Sequence, residues 1–279
     1  ADADVEIIHA DGLDAGLGEV GDRLASTLLR RPLEALPAGW CSWYTYWNTV
    51  TAQDVIENLA VIDHADLGID VVQVDDGYQR EIGDWLEYRS AFGDLDEVAG
   101  RIMDAGRTPG LWTAPFMVGV NSDLAKNHPD WLVEGAVAAE NHWGQCIRAL
   151  DVTHPGAAEH LVTMFATLRA RGFAFHKIDF IYAGAMVGRR HEDITPIAAY
   201  RRGLELIREG AGEDAVILGC GAPLLPSIGL VDAIGGDELR VGLGAVGVVR
   251  GIAPPGGDVH PGVVGQIHAV QANLRYPAS

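Results

Sequence analysis

Lysine is almost missing from this chain. Among 279 residues there are 20 basic side chains, which a count along the sequence divides into 18 arginines and two lysines, Lys126 and Lys177, against 39 acidic residues. The formal charge of −19 argues against nucleic acid or an anionic membrane as a partner, because phosphate-rich surfaces repel such a field, and leaves neutral or cationic ligands. Cysteine is scarce as well. Cys41, Cys146 and Cys220 are widely spaced, odd in number and in no CxxC pair, which argues against a disulfide framework and a zinc site. No stretch of eighteen apolar residues occurs and the first thirty residues carry no charged-then-apolar leader pattern, so a cytoplasmic location is the expectation. Two readings fit the shortage of lysine beside abundant carboxylates: a high-salt cytoplasm, toward which the acidity leans, or a GC-rich genome that favours arginine codons.

What is present is a chain with 48% hydrophobic residues, able to bury a core in one large α/β domain or two small ones. Residues 1–36 form an acidic lead-in with a helix-like stretch, VGDRLASTLLRRPLEAL, in which apolar residues recur at three and four. Beyond Pro37 and Gly39, strand-like and helix-like runs alternate. AGWCSWYTYW (38–47), IDVVQVDDGY (69–78), TPGLWTAPF (108–116), FAFHKIDFIY (173–182), AVILGCG (215–221) and VDAIGGD (231–237) read as strands. Residues 51–68, 94–106, 155–172 and 194–212 read as helices, with Thr51, Asp94 and Pro155 as start signals and glycines at the ends. A longer insertion runs to about residue 154. This alternation implies parallel pairing through right-handed crossovers, with functional residues at the C-terminal strand ends. Of the 39 acidic residues only Asp258 lies in the last 39 positions, a Gly- and Val-rich tail.

One of the two lysines sits in FHKIDF (175–180), an otherwise apolar run. Side chains alternate along a strand, so Lys177 and Asp179 share one face while His176 and Ile178 take the other. A structural ion pair would explain that strand alone. An Asp-Asp-Gly turn would explain Asp75 and Asp76, a helix cap Asp237, and core packing Cys220 and the tryptophans. Their convergence on one rim needs more. Carboxylates that bond vicinal hydroxyls, beside indole rings on which a pyranose stacks, describe a sugar site.

GWCSWYTYW, VVQVDDGYQREIGDW, GLWTAPFMV, NHPDWLV, ALDVTHP, HKIDFIYAG and LGCGAP, in that order, resemble the catalytic barrel of the α-galactosidases of glycoside hydrolase family 36, the melibiase group, and more distantly family 27. The resemblance covers roughly residues 38–237. It implies a (β/α)8 barrel of the TIM type over 37–279, with 238–279 atypical, and a retaining double displacement on terminal α-galactosides without metal or cofactor. It implies Asp179 as nucleophile and Asp237 as general acid/base. It also implies Asp75, Asp76 and Lys177 as ligands of sugar hydroxyls, Trp43 and Trp112 as ring-packing walls, Cys220 and Gly221 as a patch beside the 2-hydroxyl, and Arg240 as the nearby arginine. The expected partner is a small carbohydrate, with no nucleic acid and no membrane, and a homo-oligomer is left open.

The chain departs from the family pattern where K-W-D-M-N is common, with Phe180 and Ile181 after Asp179, and where Ala114 replaces a glutamate. A barrel takes about 250 residues, and only 42 follow Asp237, so the seventh and eighth strands are unaccounted for. Rival readings are an α-N-acetylgalactosaminidase or galactosyl transferase of the same clan, an Mg²⁺-dependent barrel enzyme with these aspartates as ligands, and a non-catalytic sugar-binding remnant.

Overall fold

The computed structural model describes residues 9, 11–27, 37–65 and 67–235. Its frame is a parallel sheet of six strands in chain order: β1 (Gly39–Cys41), β2 (Val71–Val74), β3 (Thr108–Thr113), β7 (Phe175–Ile178), β8 (Val216–Cys220) and β9 (Ala233–Gly235). The gap in numbering is filled by an inserted antiparallel sheet of β4 (Met117–Gly119), β5 (Leu132–His142) and β6 (Gln145–Leu150). Helix α1 (Leu13–Thr27) leads in, and α2 (Trp43–Tyr46) and α3 (Ala52–His64) follow β1. Helix α4 (Leu95–Asp104) follows β2, α5 (Asp123–Asn127) and α6 (Pro155–Ala170) follow β3, α7 (Pro196–Ala211) follows β7, and α8 (Leu224–Ser227) follows β8. Strands joined in order by helical crossovers are six successive units of a (β/α) barrel.

The start signals work as local chemistry dictates. Thr51 and Asp54 form a reciprocal capping box on α3, the Asp94 carboxylate accepts the amides of Asp96 and Glu97, and Pro155 opens α6 where its missing N–H costs nothing.

Alternation along the strands divides the interior in two. Val72 and Val74, Leu111, Ile178, Ile217 and Ile234 belong to the large cluster shared with the helices. Their alternate neighbours Val71, Phe175, Leu218, Cys220 and Ala233 form a separate small cluster. A sheet packed on helices with one face and on itself with the other is a barrel wall. The inner face is apolar at its base and becomes polar toward the C-terminal ends, where Cys41, Gln73, Asp75 and Lys177 follow. Lys177 and Asp75 meet although β3 lies between their strands, as side chains on a concave face can.

One strand differs from expectation. The ladder of β1 ends at Cys41, and the aromatic run continues as α2 and a 3-10 turn (Trp47–Thr49). Aromatic residues favour strands only where neighbours on both sides of a pleat receive them. Here the Tyr46 hydroxyl instead accepts from Asn58 of α3 at 2.7 Å, and Trp43 packs on Trp47. Helix α1 starts upstream of the stretch read as helical. Residues 28–36, Asp237, Arg240 and the tail lie outside the described residues. No helix among the described residues is long and apolar enough to cross a membrane.

Candidate active site

The C-terminal ends of β1, β2, β3, β7 and β8 bring the described candidates Asp75, Asp76, Lys177, Asp179, Trp112 and Cys220 toward one mouth. Asp75 is the most heavily bonded. Its Oδ2 accepts from Lys177 Nζ at 2.9 Å, from Gln73 Nε2 at 2.6 Å and from Cys41 Sγ at 3.4 Å, while Oδ1 accepts the Asp76 amide at 2.9 Å. Its own amide donates to Ser42 Oγ at 2.9 Å, which ties the β2 end to the β1 end. The lysine thus takes its main partner from another strand, since Asp179 Oδ2 is 3.9 Å away against 2.9 Å for Asp75. Burial alone would lower the Lys177 ammonium, but Asp75 and the other groups around it hold it well above its usual value, so it stays charged.

Asp179 follows the last residue of β7. The Trp112 indole N–H donates to its Oδ2 at 3.1 Å and the Phe180 amide to its Oδ1 at 2.7 Å. Its side chain is 19% exposed against 2% for Asp75, and Asp76 is also buried. Among the three described carboxylates, Asp179 is the most exposed. Trp112 is itself buried and holds the carboxylate by the edge of its indole.

Asp76 is held by one group of its own loop and one of the inserted sheet. Gln79 Nε2 donates to Oδ1, and the indole N–H of Trp143 donates to Oδ2 at 2.7 Å. Burial pushes the Asp76 carboxyl up, and these two bonds oppose the shift. Gly77 follows at φ +121°, with a built Cβ only 2.7 Å from the Asn48 backbone. A side chain there would push the β1 and β2 loops apart, so glycine is required by approach as well as by φ.

Trp143 is the residue sequence reasoning missed. It stands at the tip of the β5–β6 hairpin, where Trp143 and Gly144 have φ of 51° and 69°, the left-handed pair of a type I′ turn. Its ring lies 5.4 Å from Phe180 and 6.2 Å from Trp112, so the inserted sheet is folded over the mouth. A Trp-Gly pair between two β-prone runs, HWGQ, was the available signal. The three non-glycine residues with left-handed φ among those described are Trp47, Trp143 and Phe180. All are aromatic and all border this mouth. Such backbone costs on the order of 1–3 kcal/mol per residue and persists where the surroundings over-determine it, often at functional sites.

Trp43 packs edge-on against Trp47, with ring centroids 5.0 Å apart, and Trp47 is 58% exposed. Cys220 ends β8, and burial pushes its thiol up to about 12, as burial also raises that of Cys41. Both remain protonated and act as donors or packing groups rather than nucleophiles. Gly221 sits at φ +57° against the Phe180 backbone. No metal-binding cluster of His, Cys, Asp and Glu occurs among the described residues.

The solved structure of TtGalA, an α-galactosidase from Thermus thermophilus in complex with p-nitrophenyl α-D-galactopyranoside, superposes with a TM-score of 0.69 at 34% identity, covering 78% of this chain and 44% of that one. α-Galactosidase AgaA of Geobacillus stearothermophilus is 40% identical over 75 residues, which is 24% of this chain and 10% of that protein. The bifunctional α-galactosidase/sucrose kinase AgaSK of Mediterraneibacter gnavus is 35% identical over 100 residues, 33% of this chain and 10% of its own length. The chain therefore spans less than half of each of these relatives. Residues 31–193 match the Melibiase family model, and that match takes in β1 to β7 with both Asp75 and Asp179, so the chain belongs to the melibiase family.

Proposed function

We propose that this chain carries the catalytic barrel of a retaining glycoside hydrolase acting on terminal α-galactosides. The observation that carries the reading is Asp179, an accessible carboxylate at a barrel mouth. Both its oxygens are aimed by N–H donors and an ammonium stands 3.9 Å away. In a double displacement Asp179 attacks the anomeric carbon and forms an ester as the bond to the leaving oxygen breaks, and that oxygen takes a proton from Asp237. Water, giving its proton to Asp237, then cleaves the ester. The two N–H donors fix the direction of the carboxylate, which is the orientation the first step needs.

Asp76 and Lys177 serve as ligands for sugar hydroxyls, with Asp75 both anchoring Lys177 and offering the remaining lone pair of Oδ1. Trp43 borders the ring, Cys220 and Gly221 flank the 2-hydroxyl, and Arg240 supports the acid/base. Neither metal nor cofactor enters this chemistry.

The test is p-nitrophenol release by the full chain from the α-galactoside, the α-glucoside and the α-N-acetylgalactosaminide. Fastest release from the first supports the reading, and fastest release from the third moves the specificity to the acetamido sugar. Asp179→Ala should abolish turnover, and azide should restore it as a glycosyl azide on an activated substrate. A stably folded Asp179→Ala protein that azide does not rescue removes Asp179 from the nucleophile's role.

A further inference from the structure

A second cavity, of about 560 Å³, shares no lining residue with the mouth just described. It lies between the start of β5, the end of β6, the start of α6 and the loop 189–191. The volume suits a ligand of monosaccharide size rather than a bare ion.

Its arginines are unusual for so acidic a chain. Arg189 pairs with Glu134, but among the described residues no carboxylate lies within ion-pair distance of Arg148 or Arg190. Arg148 donates only to the carbonyls of Ala136 at 3.0 Å and Val133 at 3.3 Å, and Arg190 only to the Gly184 carbonyl at 3.0 Å. The Nε and Nη1 of Arg190 are buried and have no hydrogen-bond partner. Carbonyls orient a guanidinium without neutralising it. Burial lowers the Arg190 guanidinium and the buried Asp151 carboxylate opposes that shift, yet the Asp151 oxygens accept from Thr153 and from the His191 amide.

The histidines add donors. His154 accepts the Gly156 amide through Nδ1 at 3.1 Å, so its proton is on Nε2, which faces Asp130 at 3.4 Å. The His191 ring stands 4.9 Å from it. Two guanidiniums held in place without carboxylate partners suit an oxyanion, for which arginine is the preferred side chain. Asp130 and Glu134 on the lining suit hydroxyl donors.

We infer that this cavity binds a phosphorylated monosaccharide, with the phosphate on Arg148 and Arg190 and the sugar hydroxyls toward Asp130 and Glu134. The inference is independent of the hydrolase reading, and its test reads no turnover. In isothermal titration of the full chain at low salt, glucose 6-phosphate should bind at least ten-fold more tightly than glucose, with affinity falling as KCl is raised. Arg190→Met should weaken it at least ten-fold with an unchanged melting temperature, and Arg190→Lys should retain part of the affinity. Arg148→Met should do the same, but Arg148 also bridges the β5 carbonyls, so the Arg190 pair decides. Absence of binding, equal affinity for glucose, or unchanged affinity in Arg190→Met overturns the assignment.

Discussion

The pair Lys177–Asp75 offers the sharpest test of how the mouth is built. Replacing Lys177 by Met keeps the aliphatic stem and removes the ammonium, which leaves the Asp75 carboxylate 2% exposed with Gln73, Cys41 and one backbone amide for company. Breaking a buried pair in this way costs on the order of 3–5 kcal/mol. Asp75→Asn should cost less, because Asp179 stands 3.9 Å from the ammonium and remains as a counter-charge. The double variant removes both charges and should lose less than the sum of the two singles, with a coupling on the order of 1–3 kcal/mol. Urea unfolding of the four full-length chains at pH 7 gives the cycle. Single losses that add to within about 0.5 kcal/mol in the double variant would refute the pairing as an energetic unit and return Lys177 to Asp179.

Three further outcomes follow from the same geometry. His176 faces the helices, where burial holds its imidazole down to about 4 from 6.5. The unfolded chain therefore gains a proton below pH 6.5 that the native state refuses, and stability falls from pH 6.5 toward 4 by about 3 kcal/mol in all. Urea unfolding of His176→Leu between pH 7.5 and 4.5 should be flatter by about 2.5 kcal/mol, and curves parallel to those of the unaltered chain would count against it. Trp143→Phe keeps the ring but deletes the donor to Asp76, a charge-assisted bond worth about 1.5–3 kcal/mol. kcat/KM on the aryl α-galactoside should drop roughly ten- to a hundred-fold in a protein that melts a few degrees lower but stays folded at the assay temperature, and an unaltered kcat/KM would detach the hairpin from the site. Trp47→Ala removes an exposed ring beside the mouth and should raise KM for a trisaccharide about ten-fold while sparing the aryl substrate. Equal effects on both would place Trp47 outside the path of the leaving sugar.

Much of this was legible because strand period and barrel topology act locally. The alternation in FHKIDF places Lys177 inward and His176 outward by geometry alone, and the two separate hydrophobic clusters follow from it. Cap chemistry at Thr51, Asp94 and Pro155 depends on three or four neighbouring residues, so it too is written in the chain. The partner of Lys177 was not legible, since Asp75 lies 102 positions away in sequence and reaches it only once the sheet is curved. Nor was the fate of WYTYW. Its β-prone aromatics turn into a helix in which the Ser42 carbonyl accepts the Thr45 and Tyr46 amides and Asn58 of α3 bonds the Tyr46 hydroxyl, and propensity yields to such contacts.

The inserted sheet explains why the mouth contains strained aromatic backbone at all. Six barrel strands fix Asp75, Asp179 and Lys177 to the wall, but the wall alone leaves Asp76 and the Phe180 side of Asp179 open to water. The hairpin supplies the missing cover only if its tip turns tightly enough to present an indole edge, and a type I′ turn does that at the cost of a left-handed Trp143. The bond from Trp143 to Asp76 and the contact of its ring with Phe180 offset that cost. Strain at Trp143 and Phe180 is thus a shared property of one contact, so relaxing either residue to an extended backbone should loosen both carboxylates together.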